Sequence, residues 1–438
     1  MHHATASLTN AELAERVDRF LCQIKQNQLQ LSEVSAKLIH DKSLAGTSDS
    51  EIHTLLSHMI DEATRHHMAV SEVPELLTRF IELTSTSGIS NSELESALTR
   101  IMNSTKSIPF TAAEVSALWH QYLSDSMAIY VYKYFLNIIE DEQIQSILES
   151  ALQFAESHIK KITGFLNAND FEIPLGFTEK DVNLTAPRLF SDRFMLYYSN
   201  VMTIHGLTAY SLAFTNSARR DIQDHFFNCI AESKELFQKI DDLAKHQPEF
   251  SSVPSVPSPH GIEFVDSTGF LSNLVGDKRP LNASEITNLF FNSKKTGFVR
   301  SLSLAFSQVA ESEEVRKFML KNVKLAGKDA ESLNAILQQD NLPTPRSWDS
   351  DITDSTVGPF SDKLMMFHAA LLVNAALSYY GAALGSSLRS DIILNYKGVF
   401  NHAMQAGALC YNILVNHGWM EKQPEAIDRT SLVQGAKA

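Results

Sequence analysis

Phe110-Thr-Ala-Ala-Glu-Val115 reads again as Leu281-Asn-Ala-Ser-Glu-Ile286, and this recurrence decides the fold. Leu189-Phe-Ser-Asp192 returns as Pro359-Phe-Ser-Asp362, and Ser217-Ala-Arg-Arg-Asp-Ile222 as Ser387-Leu-Arg-Ser-Asp-Ile392, at offsets of 171, 170 and 170 residues. An offset held along a whole module marks a duplicated domain. Thr111-x-x-Glu114 and Asn282-x-x-Glu285 are capping boxes, in which the first side chain accepts from an amide one turn on and Glu reaches back, so each copy opens with a helix.

The helical period predicts four helices per copy, at about 111–139, 141–167, 191–215 and 218–245, then at about 282–310, 312–339, 361–385 and 388–416. Joints as short as Glu140-Asp141 and Asn216-Ser217 impose antiparallel hairpins. Between the second and third helices about twenty residues, through Pro174, Gly176 and Pro187 or through Pro343, Pro345 and Gly358, are enough to cross a bundle at about 3.3 Å per residue. The expected fold is all-α: two tandem ferritin-like four-helix bundles with an N-terminal helical domain. Its parts are a helical domain or arm at 1–105, bundles at 108–247 and 281–420, a Pro-rich linker at 248–280 and a polar, loose tail at 421–438.

The 438 residues suit several cores, and a 44% hydrophobic, 20% charged composition gives no sign of disorder. A net charge of -14 with no basic stripe argues against nucleic acid. Cys22, Cys229 and Cys410 are isolated in apolar helical stretches, which suits buried thiols in a reducing compartment, and the start lacks an apolar signal core; the expectation is cytoplasmic. Leu364 to Leu384 reaches membrane-spanning length, but Asn374, Tyr379 and Tyr380 interrupt it, so it is read as a buried core helix with no membrane span.

Ile173-Pro-Leu-Gly-Phe-Thr-Glu-Lys-Asp181, Pro187-Arg-Leu-Phe-Ser-Asp192, Trp348-Asp-Ser-Asp-Ile-Thr-Asp354 and Pro359-Phe-Ser-Asp-Lys-Leu-Met-Met-Phe-His368 resemble a family of uncharacterised proteins of endospore-forming bacteria, similar in turn to the spore coat protein F group. The resemblance covers about residues 108 to 425 and implies tandem ferritin-like bundles in a bacterial protein, sporulation-associated or cytoplasmic. It carries no activity, and it leaves the first hundred residues unassigned.

A di-metal carboxylate centre needs inward Glu on two helices and Glu-x-x-His on two others. The first copy offers Asp125, Glu156-Ser-His158, Asp221 and His225 without that spacing; in the second, His368 and His402 look isolated from suitable carboxylates. No catalytic residue, metal or other cofactor is therefore expected. His58, Glu62 and His66 share one helix face as weak metal candidates, read first as a solvated polar face, and His2 and His3 could hold adventitious metal. Asp349, Asp351 and Asp354 could offer oxygens to calcium but lack the Gly and Glu of an EF-hand loop, so turn and capping roles fit better.

Asp192, Arg219 and Asp221 match Asp362, Arg389 and Asp391 across the duplication, and Tyr210 matches Tyr380. One reading is an Arg–carboxylate corner with Asp at the first turn of the fourth helix; the other is an anion or small-ligand pocket lined by the two tyrosines. The functional expectation is a non-enzymatic structural or interaction protein, self-assembling or bound to other proteins, whose N-terminal arm mediates assembly. A ferritin-like metal-dependent oxidoreductase and a small apolar-ligand carrier are the alternatives.

Overall fold

The computed structural model describes residues 109–245, 252–265, 267–271, 278–430 and 432. The arm at 1–105, with His2, His3, Cys22 and the candidate His58, Glu62, His66 face, lies outside them. Eight long helices are present among the described residues: α1 Ala112–Ile138, α2 Glu142–Asn167, α3 Asp192–Asn216 and α4 Arg220–Ala244, then α5 Ala283–Val309, α6 Glu313–Gln339, α7 Asp362–Ser386 and α8 Ser390–Asn416. They fall within two residues of the positions expected from the sequence. Two isolated β-bridges are the strand-like elements in the same residues. The protein is all-α and holds two tandem four-helix bundles.

Local chemistry sets the helix ends. Thr111 donates its amide to Glu114 Oε2 at 2.7 Å, and the Glu114 amide returns to Thr111 Oγ1 at 3.3 Å. Asn282 and Glu285 close the same box at 3.1 and 2.9 Å. α2, α4 and α6 carry a polar outer face, whereas α3 and α7 are apolar nearly all round, as helices buried on most sides must be. α7 is long and apolar enough to cross a membrane, but 56% of its apolar window is buried inside the protein. In the second repeat α5 packs on α6 and α7, and α8 packs on those same two helices.

The chain divides into two compact units. In the smaller, 109–115, Lys160–Ile173 and Leu212–Asn228 gather around Arg219. The larger contains 116–159, 174–211 and everything from 229 onward, so it includes the second repeat and most of the first. Within it both repeats share one apolar core, in which Phe190 stacks on Phe194 at 4.8 Å and Phe194 on Phe298 at 5.7 Å.

The segments between second and third helices cross to the far end of their bundles. Asp192, at the start of α3, accepts the Asp141 amide at the α1–α2 joint at 2.9 Å, and Asp362, at the start of α7, accepts the Ser312 amide at the α5–α6 joint at 2.7 Å. The two crossovers also exchange contacts. Ser191 precedes α3, and its amide and hydroxyl donate to Asp351 of the other crossover at 2.9 and 2.8 Å; Ser361 precedes α7 and donates in the same way to Asp181 at 3.0 and 2.8 Å. The bridges Val182 to Phe360 and Phe190 to Ile352 complete a reciprocal pattern, each repeat anchoring the other's third helix. Residue i touching j while its counterpart j touches i is the signature of a two-fold interface.

Gly176, at φ +61°, turns the first crossover; a Cβ there would crowd the Ser126 side chain in a backbone conformation that favours glycine. The first residue of the segment expected to be a loose tail makes contact there: Glu421 accepts the Leu175 and Gly176 amides at 2.9 and 2.8 Å, because that turn leaves two amides without backbone partners. The linker too is partly built in, since Arg279 donates to the Phe270 carbonyl at 2.9 Å and lies over its ring at 4.0 Å.

Candidate functional site

The matched polar residues separate into three places. Arg219 and Arg389 each grip the aspartate two residues on. Arg219 Nε and Nη2 reach Asp221 at 3.1 and 2.6 Å, and Arg389 reaches Asp391 at 3.1 and 2.8 Å. The remaining guanidinium nitrogen donates to Asn169 Oδ1 at 2.7 Å in one corner and to the Arg279 carbonyl at 2.9 Å in the other. Phe110 covers Arg219 at 4.3 Å. Sequence reasoning missed the residue at each centre, the glutamate of the capping box. Glu114 Oε1 accepts the Ala218 and Arg219 amides at 3.0 and 2.7 Å, and Glu285 Oε1 accepts those of Leu388 and Arg389 at 3.2 and 3.0 Å. One buried carboxylate thus caps the first and fourth helices of a repeat together. Burial raises the pKa of Glu114, yet the amides of Arg219, Thr111 and Ala218 outweigh it and leave the carboxyl below its ordinary value. In the second corner Arg279 adds a fork to Glu285 at 2.8 Å, and Asp391 is held down to about 2 by Arg389 and Lys278 against the effect of burial. Guanidinium and carboxylates satisfy one another in both corners.

Asp192 and Asp362 sit instead at the first turn of α3 and α7, capping the preceding hairpin. Tyr210 and Tyr380 line neither corner. Their places on α3 and α7 turn them into the bundle interior, Tyr210 edge-on to His158 at 6.0 Å and Tyr380 bonded to Thr296 Oγ1 at 2.6 Å.

That interior is the candidate functional site. In the first repeat His158 of α2 holds Asp125 of α1 through Nδ1 at 3.2 Å and Glu232 of α4 through Nε2 at 2.6 Å. Cys229, also on α4, accepts from Gln121 of α1 at 3.4 Å, and donor atoms of His158, Cys229 and Glu232 all lie within 4.8 Å of one another. Burial disfavours a charged His158, but Asp125 and then Cys229 outweigh it and hold the imidazole well above its usual pKa, with the ring bridging the Asp125 and Glu232 carboxyl groups. Asp125 and His158 were visible as isolated residues. The missed signal was Cys229-x-x-Glu232, whose i, i+3 spacing puts both side chains on one face of α4.

At the 171- and 170-residue offsets, Asp125, His158, Cys229 and Glu232 become Thr296, Asp329, Val399 and His402. The histidine and carboxylate have changed helices. Asp329 of α6 meets His402 Nδ1 of α8 at 2.7 Å, so His402 is not isolated from carboxylates, as the linear spacing had suggested. His368 joins neither pair and bonds Tyr198 instead. Two further candidates are accounted for by protein partners: Asp349 is engaged by Arg300 and Ser301, and Asp351 by Arg346 and Ser191. His225 packs edge-on to Phe165 at 5.5 Å, and neither Cys229 nor Cys410 is in a disulfide.

A family model described as a protein of unknown function, DUF3231, matches residues 100–262 and again 269–432. Among solved structures the chain is similar to a candidate spore coat protein of Bacillus halodurans C-125, at 16% identity and a TM-score of 0.31, over 34% of this chain and 98% of that one. No curated protein matches.

Proposed function

The chain belongs to DUF3231, a family of proteins of unknown function, and we propose that it is a non-enzymatic structural protein in which two ferritin-like bundles form a scaffold for protein partners or further copies of itself. The observation that carries this reading is the way the polar centres are filled: the positions where a ferritin-like bundle would offer open ligands hold histidine–carboxyl hydrogen bonds closed on themselves, His158 with Asp125 and Glu232, and Asp329 with His402. Such groups specify packing rather than turnover. The outside supports it. Ile393, Met404 and Val415, 11 residues apart on α8, are all exposed and share one apolar stripe. A spore-associated cellular place belongs to the proposal through the motif resemblance alone. The test is mass in solution across a wide concentration range, with Met404→Glu/Val415→Glu beside the parent; a parent that stays monomeric and captures no protein ends this reading.

One observation favours a second reading, a single-ion site at His158, Cys229 and Glu232, a donor set suited to zinc, with the ion taking the place of the proton shared between His158 and Glu232. Metal analysis of protein purified without chelating resin, repeated on Cys229→Ser, decides it. One transition ion per chain that disappears in the variant supports it, and none in either excludes it.

A further inference from the structure

A cavity of about 400 Å³, its mouth to solvent included, opens between the third helices of the two repeats and α5. Val201, Phe298, Leu372 and Ala376 give it apolar walls, and Lys295, Tyr379 and His205 are its chemical groups. The Lys295 ammonium and the Tyr379 hydroxyl are both sealed from solvent; the ammonium has no hydrogen-bond partner among the described residues, and the hydroxyl lies beside Thr208. The ammonium rests at 5.3 Å over the ring of Phe291. No carboxylate among the described residues is paired with it, and its charged neighbour on α5 is another cation, Lys294. A buried charge without a counter-ion is costly, so such an amine either gives up its proton or is answered by an anion.

We propose that this cavity binds a small carboxylate with a short apolar tail, its headgroup taken by Lys295 and Tyr379 and its tail by the walls of α3, α5 and α7. The chemistry is particular to this half of the molecule. At the corresponding offsets Lys295 and Tyr379 fall on Ser124 and Ala209, so the duplicated position cannot supply the same donors. The size favours short acids, since only about 30 Å³ of this space can be occupied by the centre of a water molecule. The groups facing the ammonium are His205 from α3, Lys294 from α5, and Tyr379 and Tyr380 from α7, none of which is an anion at neutral pH. Burial and Lys294 bring the amine down to about 7, so the proton that a carboxylate needs is half lost near neutrality and affinity falls as pH rises. This site stands apart from the scaffold reading and does not depend on it.

Titration calorimetry of the full chain with butanoate and hexanoate, and with hexan-1-ol as the uncharged match, tests it. The expected result is carboxylate binding that weakens roughly 10- to 100-fold in Lys295→Met, weakens as pH rises from 6 to 8, and takes up a proton at the upper end of that range. Lys295→Met removes an unpaired buried charge, so the variant is expected to fold at least as well as the parent. Absence of carboxylate binding to the parent overturns the site. Equal binding of hexan-1-ol, or hexanoate binding unchanged in Lys295→Met, overturns the headgroup assignment.

Discussion

Tyr198 and His368 occupy the same position in the two repeats, 170 residues apart, and they touch each other, hydroxyl to Nε2 at 2.8 Å. Only a residue beside a two-fold axis meets its own counterpart, so this contact locates the pseudo-symmetry axis of the fused repeats. Burial pushes His368 down to about 4, which leaves the ring neutral and able to accept from the tyrosine.

That depressed value has a sign. The unfolded chain takes up the proton first, so the stability contributed by neutral His368 is complete above about 6.5 and is lost as pH falls toward 4, on the order of 3 kcal/mol in all. His205, also lowered to about 4 by burial and Lys295, adds to the same window. Urea denaturation at several pH values is expected to show a shallower slope for His368→Gln, with lower stability at pH 7. An identical slope in parent and variant would remove His368 from the account.

Arg389→Ala leaves Asp391 and the Arg279 carbonyl without their buried partner and is expected to cost about 3 to 5 kcal/mol in chemical denaturation. Arg389→Lys should recover little, because one ammonium cannot reproduce the fork. Arg219→Ala should cost a comparable amount, whereas Arg220→Ala, whose pair with Asp224 is exposed on the arginine side, should cost at most about 1 kcal/mol.

Asp351 serves Ser191 and Arg346, whereas Asp181 serves Ser361 and caps its own short turn at Thr178. Each Asp→Ala change is expected to cost about 1 to 3 kcal/mol. Since both changes loosen the same pair of repeats, the double variant should be cleaved by protease within the crossovers faster than either single one. Equal cleavage rates would mean that the exchanged contacts do not hold the repeats together.

The polarity-swapped pairs differ in burial, the His158 side chain being 5% exposed and that of His402 31%. His158→Ala strands two carboxylates and should cost about 3 kcal/mol or more; His402→Ala strands one that water can reach and should cost about 1. Thermal melts of the two variants compare them directly, and equal losses would contradict the difference.

Helix number, helix ends and the long crossovers were legible in the sequence because they depend on local rules: capping boxes such as Thr111 with Glu114, the 3.6-residue period, and the loop length needed to reach from one end of a bundle to the other. The duplication was legible because a constant offset needs no structure. Tertiary structure alone decided which polar residues meet. Glu114 read as the cap of one helix and proved to cap two, and Tyr210, a candidate for lining the corner, packs edge-on to His158. Asp125, His158 and Glu232 form one site only because three helices converge on it. The reciprocal holds of Ser191 on Asp351 and Ser361 on Asp181 join residues 160 and 180 apart in the chain. A sequence carries such contacts without displaying them, since they depend on the relative placement of packed helices and crossovers, and no spacing along one segment reports that placement.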